Sequence, residues 1–210
     1  MKKTNRFDQA ASQWDSNPTR VELARAIGGA ILRAVPVQPQ WRAVDYGAGT
    51  GLLTLNLQPH LASLLALDFS SGMLDTLAQK LKASGITNVA TRQCNLEQAP
   101  LPETGFDLVV SSMTFHHLRD VPLVLRRLAA LLKPAGWLAF ADLDTEDGSF
   151  HGQADDVFHH GFDRARIAVW LQEAGFQTVT LQDAHTLKKP DAAGQLRSYG
   201  IFLACGQKAG

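Results

Sequence analysis

Two carboxylates bracket a glycine-rich turn in this chain. Asp45 stands two residues before Gly47, the run Gly47-Ala48-Gly49-Thr50-Gly51 leads into Leu52-Leu53, and the next apolar stretch ends in Leu67-Asp68-Phe69. An apolar run that stops at a tight glycine turn and resumes as a helix brings backbone amides up to a bound ligand, because glycine permits both the turn and the close approach. An acid closing the second apolar run is placed to accept both hydroxyls of a ribose. These residues therefore suit the binding of a nucleotide cofactor. A later apolar run closes in Ser111-Ser112-Met113-Thr114-Phe115-His116-His117-Leu118. An imidazole there can take a proton from a hydroxyl or an activated carbon as it attacks.

Glycine spacing separates the possible cofactors. A dinucleotide fingerprint needs glycine at its first, third and sixth positions to seat a pyrophosphate, but here the sixth position is Leu52 and the glycines fall at the first, third and fifth. This disfavours a nicotinamide-dependent oxidoreductase. The pattern resembles the glycine loop of class I S-adenosylmethionine-dependent methyltransferases. The resemblance implies that Asp45 orients the loop and the amino-acid end of the cofactor, that Gly47, Ala48 and Gly49 cradle it, and that Asp68 holds its ribose. It extends to Cys94-Asn95-Leu96-Glu97 and to Phe106-Asp107-Leu108-Val109-Val110-Ser111, similar to the family's later motifs. Asn95 stands where the family has an aspartate that accepts from the adenine amino group, and its amide oxygen can still accept that bond without charge assistance. The Leu96 amide is implied to donate to the ring, with Phe69, Met73 and Leu96 as apolar walls and Ser111 among the contacts. Ordinary core packing is the alternative for each wall residue.

Phe7-Asp8-x-x-Ala11-x-x-Trp14-Asp15 is similar to the aromatic N-terminal segment that small-molecule members fold over the cofactor, which places Trp14 in the site. Phe7 and Trp14 serve equally well as an anchor docking that segment on the sheet. After the fourth strand the Asn-Pro-Pro-aromatic turn of members acting on amide or base nitrogens is missing. The His-His-Leu ending resembles small-molecule methyltransferases of the ubiquinone and sterol type, so the resemblance implies methyl transfer to a small-molecule acceptor. His117 is the first candidate to move the acceptor's proton and His116 the second; pure positioning is the alternative for both. A non-catalytic S-adenosylmethionine-binding regulatory or partner protein is the second functional reading, because fold does not establish chemistry.

The elements needed to position these groups are legible as alternation. Strand-like runs at 43–46, 64–68, 89–94, 106–113 and 137–143 alternate with helical patterns, as in a parallel sheet covered on both faces. Met73, Leu74, Leu77 and Leu81 form a stripe between Ser70-Ser71 and Gly85. Val121, Val124, Leu125, Leu128 and Leu132 form another, expected to end at Pro134-Ala135-Gly136. A last helix over 163–174, capped by Asp163, is expected to turn Ala165, Val169 and Trp170 inward. Two β-rich runs, 178–186 and 200–205, are joined by a short polar connection that favours an antiparallel return. The fold class is α/β: a doubly wound, seven-stranded, mostly parallel sheet with an antiparallel last strand, the Rossmann-like methyltransferase fold. One domain is expected over 1–210, with an N-terminal helical cap at 1–35, a cofactor-binding core at 36–145, and a substrate-pocket insertion, last helix and terminal hairpin at 146–210.

The insertion His151-x-x-x-Asp155-Asp156-x-x-His159-His160 invites a metal site. If it is helical, Asp155 faces His159 and Asp156 faces His160, a spacing that suits carboxylate–imidazolium pairs as well as ligation. The pairs are preferred and no metal is expected. Twenty basic residues balance twenty acidic ones in 210, which lacks the basic excess of a nucleic-acid binder. Polar residues follow Met1-Lys2-Lys3 where an export signal would be apolar, and no run approaches the ~20 apolar residues of a membrane span. With Cys94 and Cys205 the only cysteines, a reduced, cytoplasmic protein is expected.

Overall fold

The computed structural model describes residues 6–152, 154–190 and 194–210. The first five residues of the expected N-terminal cap thus lie outside the description. Within it, β1 (Arg42–Tyr46), β2 (Ser63–Asp68), β3 (Val89–Gln93), β4 (Phe106–Ser112), β5 (Leu132–Leu143), β6 (Phe176–Pro190) and β7 (Leu196–Lys208) form one sheet in the order β3-β2-β1-β4-β5-β7-β6. The first five pair in parallel, and β7 runs antiparallel between β5 and β6. The reversed strand beside the fifth matches the sequence expectation.

Side chains along the strands alternate between two cores, as the pleat requires. Leu64, Ala66, Leu108, Val110, Ala139, Ala141 and Ile201 pack on one side; Val44, Val109, Leu138, Phe140 and Phe202 pack on the other. The first side is covered by α2 (Pro18–Ala34), α3 (Leu52–Leu57) and α4 (Ser71–Ala83), the second by α5 (Val121–Leu131) and α6 (Arg164–Glu173). A one-turn helix, α1 (Arg6–Ala10), and a 3-10 turn over Ala11–Ser16 precede α2.

Two expectations fail locally. The helix begun at Val121 ends at Leu131, and β5 already runs through Pro134, where Ala135 takes φ +60°; the Pro-Ala-Gly trio bends a strand and does not stop a helix. On α6 the buried residues are Ile167 and Leu171, while Ala165 and Val169 are exposed and Trp170 half-buried. The cap itself stands: the Asp163 side chain accepts from the Arg166 amide. The inward face instead joins the cluster of Phe162, Phe176 and Phe202, with Phe162 edge-on to Trp170 at 6.4 Å.

Candidate active site

The carboxyl ends of β1, β2 and β4 open into a cavity of about 930 Å³. Asp45, Gly47, Ala48, Gly49, Asp68 and Met73 line it, with Phe69, Asn95 and Trp14 also on its wall. At Gly47, φ is +73° and a Cβ would fall 2.2 Å from the Thr114 hydroxyl oxygen, so only glycine lets β1 and β4 end side by side. At Gly49, φ is +55° and a Cβ would meet nothing within 4 Å, because the loop there faces open space.

Both acids are tied to the backbone that carries them. Asp45, 1% exposed, accepts from the Thr54 hydroxyl at 2.6 Å. Burial pushes its carboxyl up to about 7, Asp68 adds to the rise, and the Thr54 bond opposes it. Asp68 accepts from the Gly49 and Ser70 amides, both at 2.8 Å. Burial raises its pKa, with those two amides opposing. It therefore couples the glycine loop to the start of α4 while retaining lone pairs for a ligand.

The N-terminal segment is fastened over this cradle. Asp8 accepts from the Ser70 hydroxyl at 2.6 Å and the Gly72 amide at 3.0 Å; Asp15 accepts from the Thr50 hydroxyl at 2.5 Å and pairs with Lys80 at 2.6 Å. Phe7 meets Phe69 at 5.6 Å, Trp14 at 5.9 Å and the His117 ring at 5.2 Å between centroids. The Arg20 guanidinium lies 3.8 Å from the centre of the Trp14 ring.

Past β4, Met113 adopts φ +53°, an uncommon conformation for a side chain of its size, and the chain then makes a 3-10 turn over Phe115–His117. His116 is buried: its Nδ1 lies 2.7 Å from Asp142 Oδ1 at the end of β5, and the Phe115 and His116 amides donate to Asp142 Oδ2. Burial would raise Asp142, but the His116 ring and these donors hold it below the usual carboxylate range. His117 Nδ1 sits 2.6 Å from the Asp156 carbonyl oxygen, which fixes its proton on Nδ1 and leaves Nε2 with its lone pair. Burial and the neighbouring His116 hold His117 down to about 4.

Leu96 and Ser111 are placed differently from the other expected contacts. Leu96 is wholly buried, and the Ser111 hydroxyl donates to the Tyr46 carbonyl at 2.7 Å; neither lines the cavity. Asn95 lines it, with Oδ1 accepting from the Glu97 amide at 2.8 Å. The insertion is not helical, so the Asp155–His159 and Asp156–His160 pairs do not form. Asp156 instead pairs with Arg6 at 2.6 Å and lies 3.8 Å from His117, while His160 faces Glu146 at 3.8 Å. Sequence reasoning placed His151 in the pocket insertion but not beside His116, whose ring lies 4.6 Å away, and it missed the wall formed by the β6–β7 tip with Leu187, Lys188 and Lys189. The tip extends past Leu143, where β5 stops pairing with β7. Only the unusual length of the β-rich runs could have signalled it.

A glycine loop after β1, an acid after β2 and a reversed last strand define an α/β fold with a cavity at the carboxyl ends of its strands. Residues 44–140 match the family described as methyltransferase domain. The chain is 30% identical over 196 residues to the uncharacterized methyltransferase C1347.09 of Schizosaccharomyces pombe, covering 76% of this chain and 68% of that protein. It is 26% identical over 196 residues to the malonyl-[acyl-carrier protein] O-methyltransferase of Serratia marcescens, covering 91% and 74%. It spans under half of two other relatives, 47% and 45%. The fold matches that of the phosphoethanolamine N-methyltransferase 2 of Haemonchus contortus in complex with phosphomonomethylethanolamine and S-adenosylhomocysteine, with TM-score 0.71, 16% identity, and 87% and 52% of the two chains covered. The chain belongs to the methyltransferase domain family and is an S-adenosylmethionine-dependent methyltransferase.

Proposed function

We propose that the chain transfers the methyl group to a small organic acceptor held between the histidines at the end of β4 and the β6–β7 tip. The observation that carries this reading is the cavity itself: it runs from the glycine loop to His116 and His117 and is partly covered by Phe7 and Trp14. Such a space suits a cofactor and a compact acceptor. The balanced charge and the absent Asn-Pro-Pro turn add support against a nucleic acid, and the phosphoethanolamine enzyme is seen in complex with the small molecule phosphomonomethylethanolamine. Among the described residues no helix is long and apolar enough to cross a membrane. With two free thiols, we place the chain in the cytoplasm.

The residues fit S-adenosylmethionine: Gly49 leaves room at the loop, and two carboxylates face a ligand that carries ammonium and sulfonium charge. Bound there, the cofactor supplies an electrophilic methyl group. Asp45 would hold its ammonium end, Asp68 its ribose hydroxyls and Asn95 its adenine amino group, with Phe69 and Met73 as the apolar walls for the ring. Phe7 and Trp14 exclude water, which keeps the displacement aligned and dry. The acceptor loses its proton at the end of β4, where His117 and His116 line the cavity.

Calorimetric titration with S-adenosylmethionine, S-adenosylhomocysteine and NAD tests the cradle. Micromolar binding of the two sulfur nucleosides, lost in Asp68→Ala and absent for NAD, is expected; equal affinity in that variant would remove Asp68 from the site. His117→Ala is expected to keep cofactor affinity and lose turnover in a labelled-methyl acceptor screen. Full turnover in that variant would discard the role of His117.

A further inference from the structure

Three imidazoles converge beyond β4 in a way that proton transfer does not explain. One ring nitrogen from each of His116, His117 and His151 can be chosen so that all lie within 4.8 Å of one another. Nε2 of His116 and Nε2 of His151 are buried and have no hydrogen-bond partner among the described residues. A buried polar atom without a partner is costly and calls for an explanation. At the same time Nδ1 of His116 and Nδ1 of His117 are held from behind. The Asp142 carboxylate sits 2.7 Å from Nδ1 of His116, and the Asp156 carbonyl 2.6 Å from Nδ1 of His117. A carboxylate or carbonyl behind each ring is what orients imidazoles that bind a metal through the other nitrogen.

Asp142 and Asp156 supply negative charge nearby; the Arg6 guanidinium is engaged by Asp156, and the Lys189 ammonium donates to the Phe150 carbonyl.

We infer that His116, His117 and His151 form a site for a first-row divalent cation of the zinc type, whose remaining position takes the hydroxyl or thiol of the methyl acceptor. Three imidazole nitrogens without thiolate select this class. Nitrogens about 2.1 Å from one tetrahedral ion stand roughly 3.4 Å apart, so the rings close by about an ångström or a little more. Ligation itself is independent of the function proposed above; its catalytic meaning rests on that reading. Coordination lowers the pKa of the acceptor's O–H or S–H, which releases its proton to solvent as the acceptor binds. The freed lone pair forms the bond to the methyl carbon as the carbon–sulfur bond breaks, and the sulfonium becomes a neutral thioether.

The test is titration of the full chain, purified without a histidine tag and stripped with a chelator, with cobalt(II) as a visible probe and zinc as competitor. S-adenosylhomocysteine affinity is measured on the same sample by calorimetry. One equivalent of cobalt, bound at micromolar concentration with the intense bands of four- or five-coordination and displaced by zinc, is expected. His151→Ala should weaken it by at least about 100-fold. This ring is half-buried on a loop, so the variant is expected to fold, and a melting curve verifies that. Weak octahedral-type bands, or equal cobalt affinity in the wild type and His151→Ala, would overturn the cation site. Nucleoside binding without cobalt binding sinks this inference alone, whereas cobalt binding without nucleoside binding sinks the methyltransferase reading of the cavity and leaves the cation site standing.

Discussion

Asp45 carries the clearest pH signature. Its folded pKa of about 7 lies above the ordinary carboxylate value of 3.8, so the native state keeps a proton that the unfolded chain releases. Stability without ligand therefore falls as pH rises from about 4 to about 7, and the full cost, a few kcal/mol at roughly 1.4 per pKa unit, is present above that window. Asp45→Asn should melt several degrees higher than wild type at pH 8 and no higher at pH 4, as read by calorimetric scans. An ammonium group beside Asp45 reverses the preference and expels the proton. Cofactor affinity is accordingly expected to rise through pH 7 in the wild type and to be weak and pH-independent in Asp45→Asn. A wild-type affinity that stays flat from pH 6 to pH 8 would separate this carboxylate from the cofactor's charge.

At the scale of elements, the N-terminal segment is held by two acids and one aromatic cluster. Lys80 and Asp15 are partly exposed, so their pairing is worth at most about 1 kcal/mol, whereas the rings of Phe7, Trp14 and Phe69 supply the larger apolar share. Trp14→Ala is expected to weaken S-adenosylhomocysteine binding by about tenfold, mainly through a faster dissociation rate in stopped-flow traces, and Asp15→Ala by only a few-fold. Unchanged affinity in folded Trp14→Ala would make that ring an anchor and nothing more. Strand positions, the cofactor loop and the helix starting at Ser71 were legible because each is encoded locally, by a period, a cap or a glycine. The stripe on α6 misled because Ile167 and Leu171 are chosen by what packs against them. His151 was legible as a residue but not as a neighbour of His116, since 34 intervening positions and a nonhelical loop decide that meeting. The β6–β7 tip was shorter in the sequence reading because its outer residues are polar and pair with each other beyond the sheet.

For the molecule as a whole, Phe140 links core to chemistry. It is fully buried, stacked 4.2 Å from Phe115 and edge-on 5.8 Å from Phe202. Phe140→Ala should cost about 3–5 kcal/mol and lower the melting point by roughly 10 °C. It should also loosen the turn that carries His116, which would show as a loss of turnover larger than the loss of cofactor affinity. With no formal net charge at neutrality, the chain has little mutual repulsion and is expected to be least soluble near pH 7.

Phe7 touches Phe69 on the nucleoside side and His117 on the acceptor side at once. One ring thus bars two exits, and neither occupant can be exchanged while the other's barrier stays shut. The expected kinetics are ordered, nucleoside first on and last off: in initial-rate patterns S-adenosylhomocysteine should inhibit competitively against the methyl donor and noncompetitively against the acceptor. Swinging that ring through solvent would then set the pace, and kcat should slow in proportion to added viscogen while the bond-making step remains indifferent to it.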